Sequence, residues 1–285
     1  MNHLIADSGA TKTDWAYIDE GKPVFIKTAG LHPAYLDPKK ARKELRKRLM
    51  FAEPHYISFY GAGCYSREAA MPVLKILQDV FNSINQIDVF DDLTAVAHAF
   101  LDDGDGVACI LGTGSASGQY ETGKKITSIA SLGYVLGDEG SGADIGKRIL
   151  KAFFRKEFTE ETMLYVQSRL SDPGYGTAMQ ELYTTKRPSY YLAKVSETVL
   201  SDDFPEELAG LVDAAFQDFV VNHLKKYEGF PEYSLAISGG MASLQQERLI
   251  SILKRNHLND FTISGGVIAA LARNSENFGR ATQAY

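Results

Sequence analysis

The chain opens with three short apolar runs, each of strand length: Leu4-Ile5-Ala6, Trp15-Ala16-Tyr17-Ile18 and Val24-Phe25-Ile26. Asp7 to Thr13, small and polar, separates the first two, and Glu20-Gly21-Lys22-Pro23 separates the second pair. Three strands joined by short turns predict an antiparallel meander, which is not how a dinucleotide-binding fold begins. The period then changes. Ala41, Leu45 and Leu49 recur every four residues within Pro38 to Met50, so a helix with one buried stripe is expected there. Tyr56-Ile57-Ser58-Phe59-Tyr60 predicts a buried strand, about Arg67 to Phe81 a helix, and Ile87-Asp88-Val89-Phe90 another strand. A helix carrying Ala95, Val96, Ala99 and Phe100 follows. Strand, helix, strand, helix after a meander implies a mixed sheet with helices against it.

The opening pattern then recurs. After the polar turn Asp102-Asp103-Gly104-Asp105-Gly106 comes an apolar strand, Val107 to Leu111, then the small-residue turn Gly112-Thr113-Gly114-Ser115. A second strand leads to a turn at Glu121-Thr122-Gly123. Two halves that begin alike suggest an internal duplication, visible in pattern and not in identity. From about Glu139 to Lys226 the chain reads as almost wholly helical; its strongest segment is Glu206 to Tyr227, with Leu208, Leu211, Val212, Ala215, Phe216, Phe219 and Val220 on one face. Tyr233 to Ile237 returns to a strand and ends at Ser238-Gly239-Gly240. A helix, a short strand at Phe261-Thr262-Ile263 and a last helix complete the chain. The predicted division is 1–102, then 103–266 with a helical insertion, the final helix (about 267–285) returning to the first domain.

Composition narrows the class. With 285 residues, 45% apolar and 23% charged, the chain is an ordinary globular one and long enough for two domains. A net charge of −6 argues against a nucleic-acid binder built on phosphate neutralisation. No stretch approaches the ~20 apolar residues that span a bilayer, and the N-terminus lacks a basic segment followed by an apolar signal core. Cys64 and Cys109, each in an apolar strand-like context, lack redox or zinc spacing. A reduced, cytoplasmic protein is expected. The basic run Lys39, Lys40, Arg42, Lys43, Arg46, Lys47 and Arg48 could be an anion patch; the buried stripe beside it favours the solvated face of a helix.

The chemistry lies in the glycine turns. Asp7-Ser8-Gly9-Ala10-Thr11-Lys12-Thr13, Gly112 to Ser115, Gly137-Asp138-Glu139-Gly140-Ser141-Gly142 and Ser238-Gly239-Gly240 offer exposed N–H groups and hydroxyls, the makings of anion nests. The common nucleotide motifs fail. Ser141 to Arg148 imitates a phosphate loop but lacks its first glycine and last hydroxyl, and no G-x-G-x-x-G opens a helix. There is no H-E-x-x-H, and apart from His32 the histidines (His3, His55, His98, His223, His257) read as structural or surface residues.

Taken in order, Asp7 to Lys12, Gly61-Ala62-Gly63, Asp91-Asp92, Gly112 to Ser115, Gly137 to Gly142 and Ser238 to Gly240 resemble the sugar kinase, Hsc70 and actin superfamily. Within it the chain is most similar to the BadF/BadG/BcrA/BcrD ATPase family and its N-acetylglucosamine kinase members, from Leu4 to about Ala272. The resemblance implies an α/β fold of two ribonuclease-H-like (actin-like ATPase) domains, mixed sheets flanked by helices, with ATP in an interdomain cleft. It implies that Asp7 holds Mg²⁺, that Ser8, Gly9, Thr11 and Lys12 form one phosphate turn and Gly112, Thr113, Gly114 and Ser115 a second, and that Gly239 and Gly240 lie near the adenosine. It makes Asp92 the catalytic carboxylate, and gives His32, Gly61, Asp92, Ser131, Leu132, Gly133 and Asp138 to the sugar. Asp91 or Asp92 could equally be the N-cap of the helix after it.

The activity so implied is phosphorylation of an N-acetylated amino sugar, N-acetylglucosamine at its 6-hydroxyl, with ATP and Mg²⁺. A small-molecule sugar is then the partner, without nucleic acid or membrane, a homodimer being a possible assembly. Two departures bear on the sugar. Leu132-Gly133 stands where these kinases commonly carry Trp-Gly, and His32 where an Asn is usual. N-acetylmuramic acid is therefore an alternative substrate. A rival inside the family is an ATPase activating a 2-hydroxyacyl-CoA dehydratase or benzoyl-CoA reductase, which needs cysteine ligands for an iron–sulfur cluster. A silent sugar sensor is a second rival, against which the intact Asp7 and Asp92 speak.

Overall fold

The computed structural model describes residues 2–275 apart from 83, 85 and 202. The chain divides into two compact units: one runs to Gly104 and takes in Thr122–Lys124 and the chain from Gly266, and the other comprises Asp105–Glu121 and Lys125–Gly265.

The first unit is built on a five-stranded sheet. β1 (His3–Ser8), β2 (Lys12–Asp19) and β3 (Lys22–Ala29) form the antiparallel meander, and β4 (Tyr56–Gly61) and β5 (Gln86–Asp91) add in parallel beyond β1, giving the order β3-β2-β1-β4-β5. β1 is central and apolar on both faces, as a strand between two layers must be: Leu4, Ile5 and Ala6 are all fully buried. Leu4 and Ala6 join Trp15, Tyr17, Ile57 and Phe59 in a core closed by α1 (Pro38–Arg48) and α2 (Arg67–Val80). In α1, Asp37 caps the Lys39 and Lys40 N–H groups, Pro38 sets the first turn, and the four-residue stripe Ala41, Leu45, Leu49 is buried. Its cations face outward, and Arg42 pairs with Asp79 of α2 at 2.7 Å. The basic run is the solvated face of a helix.

α3 (Asp92–Phe100) packs against the last helix of the described chain, Val267–Arg273, which also lies on β1 and β2. The remainder of the helix expected over about 267–285 lies outside the described residues from 276 onward.

The second unit repeats the plan. β6 (Gly106–Leu111), β7 (Ser115–Glu121) and β8 (Lys124–Ile129) stand in the order of the first meander; β9 (Leu235–Ser238) and β10 (Phe261–Ile263) add in parallel beyond β6, so the sheet runs β10-β9-β6-β7-β8. Strand for strand this is the first sheet again. Its core is larger because helices are inserted between β8 and β9: α4 (Gly133–Leu136), α5 (Gly142–Phe154), α6 (Glu160–Arg169), α7 (Tyr175–Thr184), α8 (Pro188–Val199) and α9 (Glu206–Asn222). The expected stripe of α9 is buried at Leu208, Val212, Ala215, Phe216, Phe219 and Val220. α10 (Gly240–Leu244) and α11 (Gln246–Arg255) connect β9 to β10, and α12 is the Val267–Arg273 helix already described. Cys109 lies in β6 as expected, whereas Cys64 sits in the turn after β4; both are fully buried.

Candidate active site

In the first unit the candidate residues gather where β1, β4 and β5 end. The parallel register sets Ser8 beside Gly61 and Gly61 beside Asp91, so Asp7, Gly61 and Asp92 share one edge of the sheet. The β1–β2 turn is tight: the Gly9 N–H donates to the Lys12 carbonyl (3.0 Å), and the Thr11 carbonyl accepts from the Gly30 N–H (3.0 Å). Ser8 is turned inward. Its buried hydroxyl accepts from the Leu31 N–H (3.1 Å) and meets Thr13 Oγ1 at 2.8 Å, and Thr13 in turn donates to the Ala29 carbonyl. Thr11 and Lys12 are exposed at the tip, Lys12 pairing with Asp14 at 2.7 Å.

Of the two adjacent carboxylates, one is a helix cap. Asp91 is the N-cap of α3: its Oδ1 accepts from the Thr94 N–H (2.8 Å) and hydroxyl (2.7 Å). Asp92 opens the first helical turn, and its Oδ1 accepts from the adjacent Leu93 N–H (3.1 Å). Burial, then repulsion from Asp92 and Asp14, pushes the Asp7 carboxyl up to about 7, with Lys12 opposing. A carboxylate so crowded by like charge is a place for a cation. His32 caps the 3₁₀ turn Pro33–Tyr35, its Nδ1 accepting from the Ala34 N–H at 3.2 Å. That bond commits one ring nitrogen to the fold.

In the second unit three turns that are far apart in sequence converge. The Gly112 carbonyl accepts from the Gly142 N–H (2.8 Å) and the Thr113 carbonyl from the Ala143 N–H (3.0 Å), so the Gly112–Ser115 turn is tied to the start of α5. The Ser115 N–H donates to Asp138 Oδ1 at 3.2 Å. Gly114 makes this approach possible, since a Cβ there would lie 2.9 Å from the Asp138 carboxylate. Gly239 completes the set with φ +124, and any Cβ on it would strike the Leu111 carbonyl and the Gly112 nitrogen. Gly240 begins α10. Among the described residues the Ser115 hydroxyl is buried with no hydrogen-bond partner. Buried polar groups are nearly always bonded, so this hydroxyl, at the junction of two glycine turns, is an exception among the described residues.

Asp138 is 7% exposed and sits in the left-handed region (φ 57), its N–H donating to the Ser131 carbonyl at 2.9 Å. Burial raises its pKa, against the lowering effect of the Ser115 N–H. Leu132 is also left-handed (φ 61) and is 62% exposed at the cap of α4, followed by Gly133. Beside the Gly239–Gly240 turn lies a cavity of about 960 Å³ lined by Leu200, Phe204, Ser243, Gln245, Arg248 and neighbours. These lining residues were not read from the sequence, because they come from two helical connections about forty residues apart and the Ser238-Gly239-Gly240 turn marks only its own residues.

The structure thus forms two groupings: Asp7, Ser8, Gly9, Thr11, Lys12, His32, Gly61 and Asp92 in one unit, and Gly112 to Ser115, Ser131 to Gly133, Asp138, Gly239 and Gly240 in the other. Among the described residues no helix is long and apolar enough to cross a membrane.

No protein-family model matches the chain, and no curated protein matches it in sequence. Solved structures do. A proposed N-acetylglucosamine kinase from Porphyromonas gingivalis superposes with a TM-score of 0.87 at 29% identity, over 96% of this chain and 98% of that one. A proposed N-acetylglucosamine kinase from Chromobacterium violaceum gives 0.73 at 18%, over 96% and 98%. Component A of the (R)-2-hydroxyglutaryl-CoA dehydratase of Acidaminococcus fermentans gives 0.51 at 11%, over 98% and 97%. Two mixed sheets of like topology, flanked by helices and shared with these proteins, are those of the actin-like ATPase fold of sugar kinases, Hsp70 and actin.

Proposed function

We propose that the protein is an ATP-dependent kinase that phosphorylates an N-acetylated amino sugar, N-acetylglucosamine at its 6-hydroxyl. The observation that carries this reading is the Asp7–Asp92 neighbourhood at the ends of β1 and β5, on a fold whose 29%-identical neighbour is described as a kinase of that sugar.

Phosphoryl transfer asks for positioning, charge neutralisation and a group to orient the attacking hydroxyl. Asp91 caps α3, and Asp92, beside Asp7, is the carboxylate to accept the proton of the sugar's 6-hydroxyl as its oxygen bonds to the γ-phosphorus and the bond to the β,γ-bridging oxygen breaks. In each unit a glycine turn suits phosphate oxygens: the one around Thr11 and Lys12 in the first, and in the second the one at Thr113 and Gly114, where the Ser115 hydroxyl is a further donor. Ser8 shapes the first turn from within. Asp138 accepts from sugar hydroxyls, beside Ser131, Leu132 and Gly133. The residues present also suit Mg²⁺. Among the described residues no group of three or more His, Cys, Asp or Glu could cage a metal, whereas Mg²⁺ takes one or two carboxylates and completes its shell with phosphate oxygens and water. Asp7, crowded by Asp92 and Asp14, would hold it, and the ion would neutralise charge on the transferred phosphoryl group. The cavity beside Gly239 would take the adenosine.

The dehydratase-activator reading requires cysteine thiolates at a surface. Both cysteines are fully buried, and burial pushes the Cys64 thiol up to about 12, which disfavours it. The test is ADP release across glucosamine, N-acetylglucosamine, N-acetylmannosamine, N-acetylmuramic acid, glucose and no sugar. Release confined to N-acetylated sugars is expected; equal release in every well would refute the kinase.

A further inference from the structure

Asp138 does not stand alone in its turn. The next residue, Glu139, directs its carboxylate at the end of α9, where His223 Nε2 lies 3.4 Å from Oε2 and the Asn222 amide donates to Oε1 at 3.4 Å. His223 is 1% exposed. Its other nitrogen, Nδ1, lies 2.9 Å from Ser117 Oγ in β7, and Ser117 Oγ lies 2.7 Å from the Tyr227 hydroxyl. The Tyr227 oxygen accepts from the Ile129 N–H at 3.0 Å, at the end of β8. Five groups therefore form one continuous chain, buried at His223, Ser117 and Tyr227 and half-buried at its Glu139 and Ile129 ends.

The direction of that chain follows from its ends. A carboxylate only accepts, so the nitrogen facing Glu139 carries hydrogen. A main-chain N–H only donates, so Tyr227 receives at Ile129 and spends its own hydrogen on Ser117. Ser117 then donates to Nδ1, which must be bare. Every hydroxyl gives one bond and receives one, and the ring is neutral with hydrogen on Nε2. Burial, which holds the His223 pKa below its ordinary value, favours the same neutral ring.

From this we infer that His223 is a positioning residue for the acceptor site, acting through Glu139 on Asp138. The chain clamps both ends of one segment: Ile129 just before Ser131–Gly133, and Glu139 just after Asp138. Asp138 lies in the left-handed region within the clamped stretch, where backbone drift would carry its carboxylate away from the sugar. The inference rests on Asp138 being a sugar-binding residue, as proposed above. It also revises the expectation that His223 is merely structural.

Two variants separate the arms. His223→Gln can place an N–H where Nε2 meets Glu139 and gives up Ser117; His223→Asn can keep Ser117 and gives up Glu139. Steady-state ADP release with N-acetylglucosamine should show an about tenfold higher sugar KM for His223→Asn, with ATP KM and kcat within about twofold, and His223→Gln within about threefold of wild type throughout. Equal effects of the two variants, or an ATP KM that rises with the sugar KM, would overturn the positioning role. A second measurement needs no activity. In ¹⁵N-histidine NMR of the full chain, the ring signals lost in His223→Asn should report hydrogen on Nε2 and none on Nδ1. The opposite tautomer, or a charged ring, overturns the inference even if wild type shows no sugar-dependent ADP release and the kinase reading falls instead.

Discussion

The Asp91 carboxylate caps the helix it starts, and Asp92 stands in the first turn of that helix, where the proposed kinase would use it as the base. Asp92→Asn keeps the shape and removes the proton acceptor, so kcat should fall by ~10² to 10⁴ with little change in sugar affinity. Asp138→Asn should do the reverse, raising the sugar KM, because a hydrogen bond to a charged group contributes roughly 1.5–3 kcal/mol. If Asp92→Asn keeps near-normal kcat in the coupled assay, the base is misassigned. Nothing in the residue order separates the two carboxylates, since either can cap; what separates them is the Thr94 side chain closing on Asp91. Ser8 carries the same lesson. A hydroxyl in a phosphate-type turn reads as a ligand donor until its bonds to Leu31 and Thr13 are seen.

At the scale of elements, the turns matter through what they touch. Asp91→Ala should cost about 0.5–2 kcal/mol of stability as a lost N-cap, visible as a lower urea midpoint at constant m, whereas Asp91→Asn should keep both the cap and the activity. A large loss of kcat in a stably folded Asp91→Asn would transfer the catalytic role to it. Gly239→Ala forces a side chain into left-handed backbone against the Leu111 carbonyl. It should destabilise by about 1–3 kcal/mol, and unchanged stability would show that the β9–α10 turn relaxes freely. Strands and glycine turns were legible because a short apolar run broken by glycine is a local signal. α4 was not: four residues, with Val135 and Leu136 exposed, leave no stripe to read. Nor was the His223 chain, whose bonded pairs lie 84 to 110 positions apart.

For the molecule as a whole, buried neutral histidines set the acid side of stability. Burial lowers His3 from 6.5 to about 4, against the opposing pull of Asp88, and His98 and His223 are shifted in the same direction. The unfolded chain takes up protons below about 6.5 that these native histidines refuse until lower pH, so their contribution is complete above 6.5 and is lost as pH drops toward 4, while Asp7, raised to about 7 in the native protein, acts in the opposite direction over the same window. His3 alone accounts for about 3 kcal/mol at 1.36 kcal/mol per unit. Denaturant unfolding from pH 7 to 4.5 should therefore show a slope that His3→Gln reduces by about one proton; an unchanged slope would contradict a neutral buried His3.

The duplicated sheet was legible at this scale as well, because strand, glycine turn, strand recurs after residue 104 although the halves share little identity. The substrate was less so, since Leu132 and His32 depart from the pattern they resemble. The most direct measurement is ³¹P NMR of a reaction holding the protein, ATP, Mg²⁺ and N-acetylglucosamine. The account predicts one sugar 6-phosphate formed for each ADP released. ADP accompanied only by inorganic phosphate would contradict it.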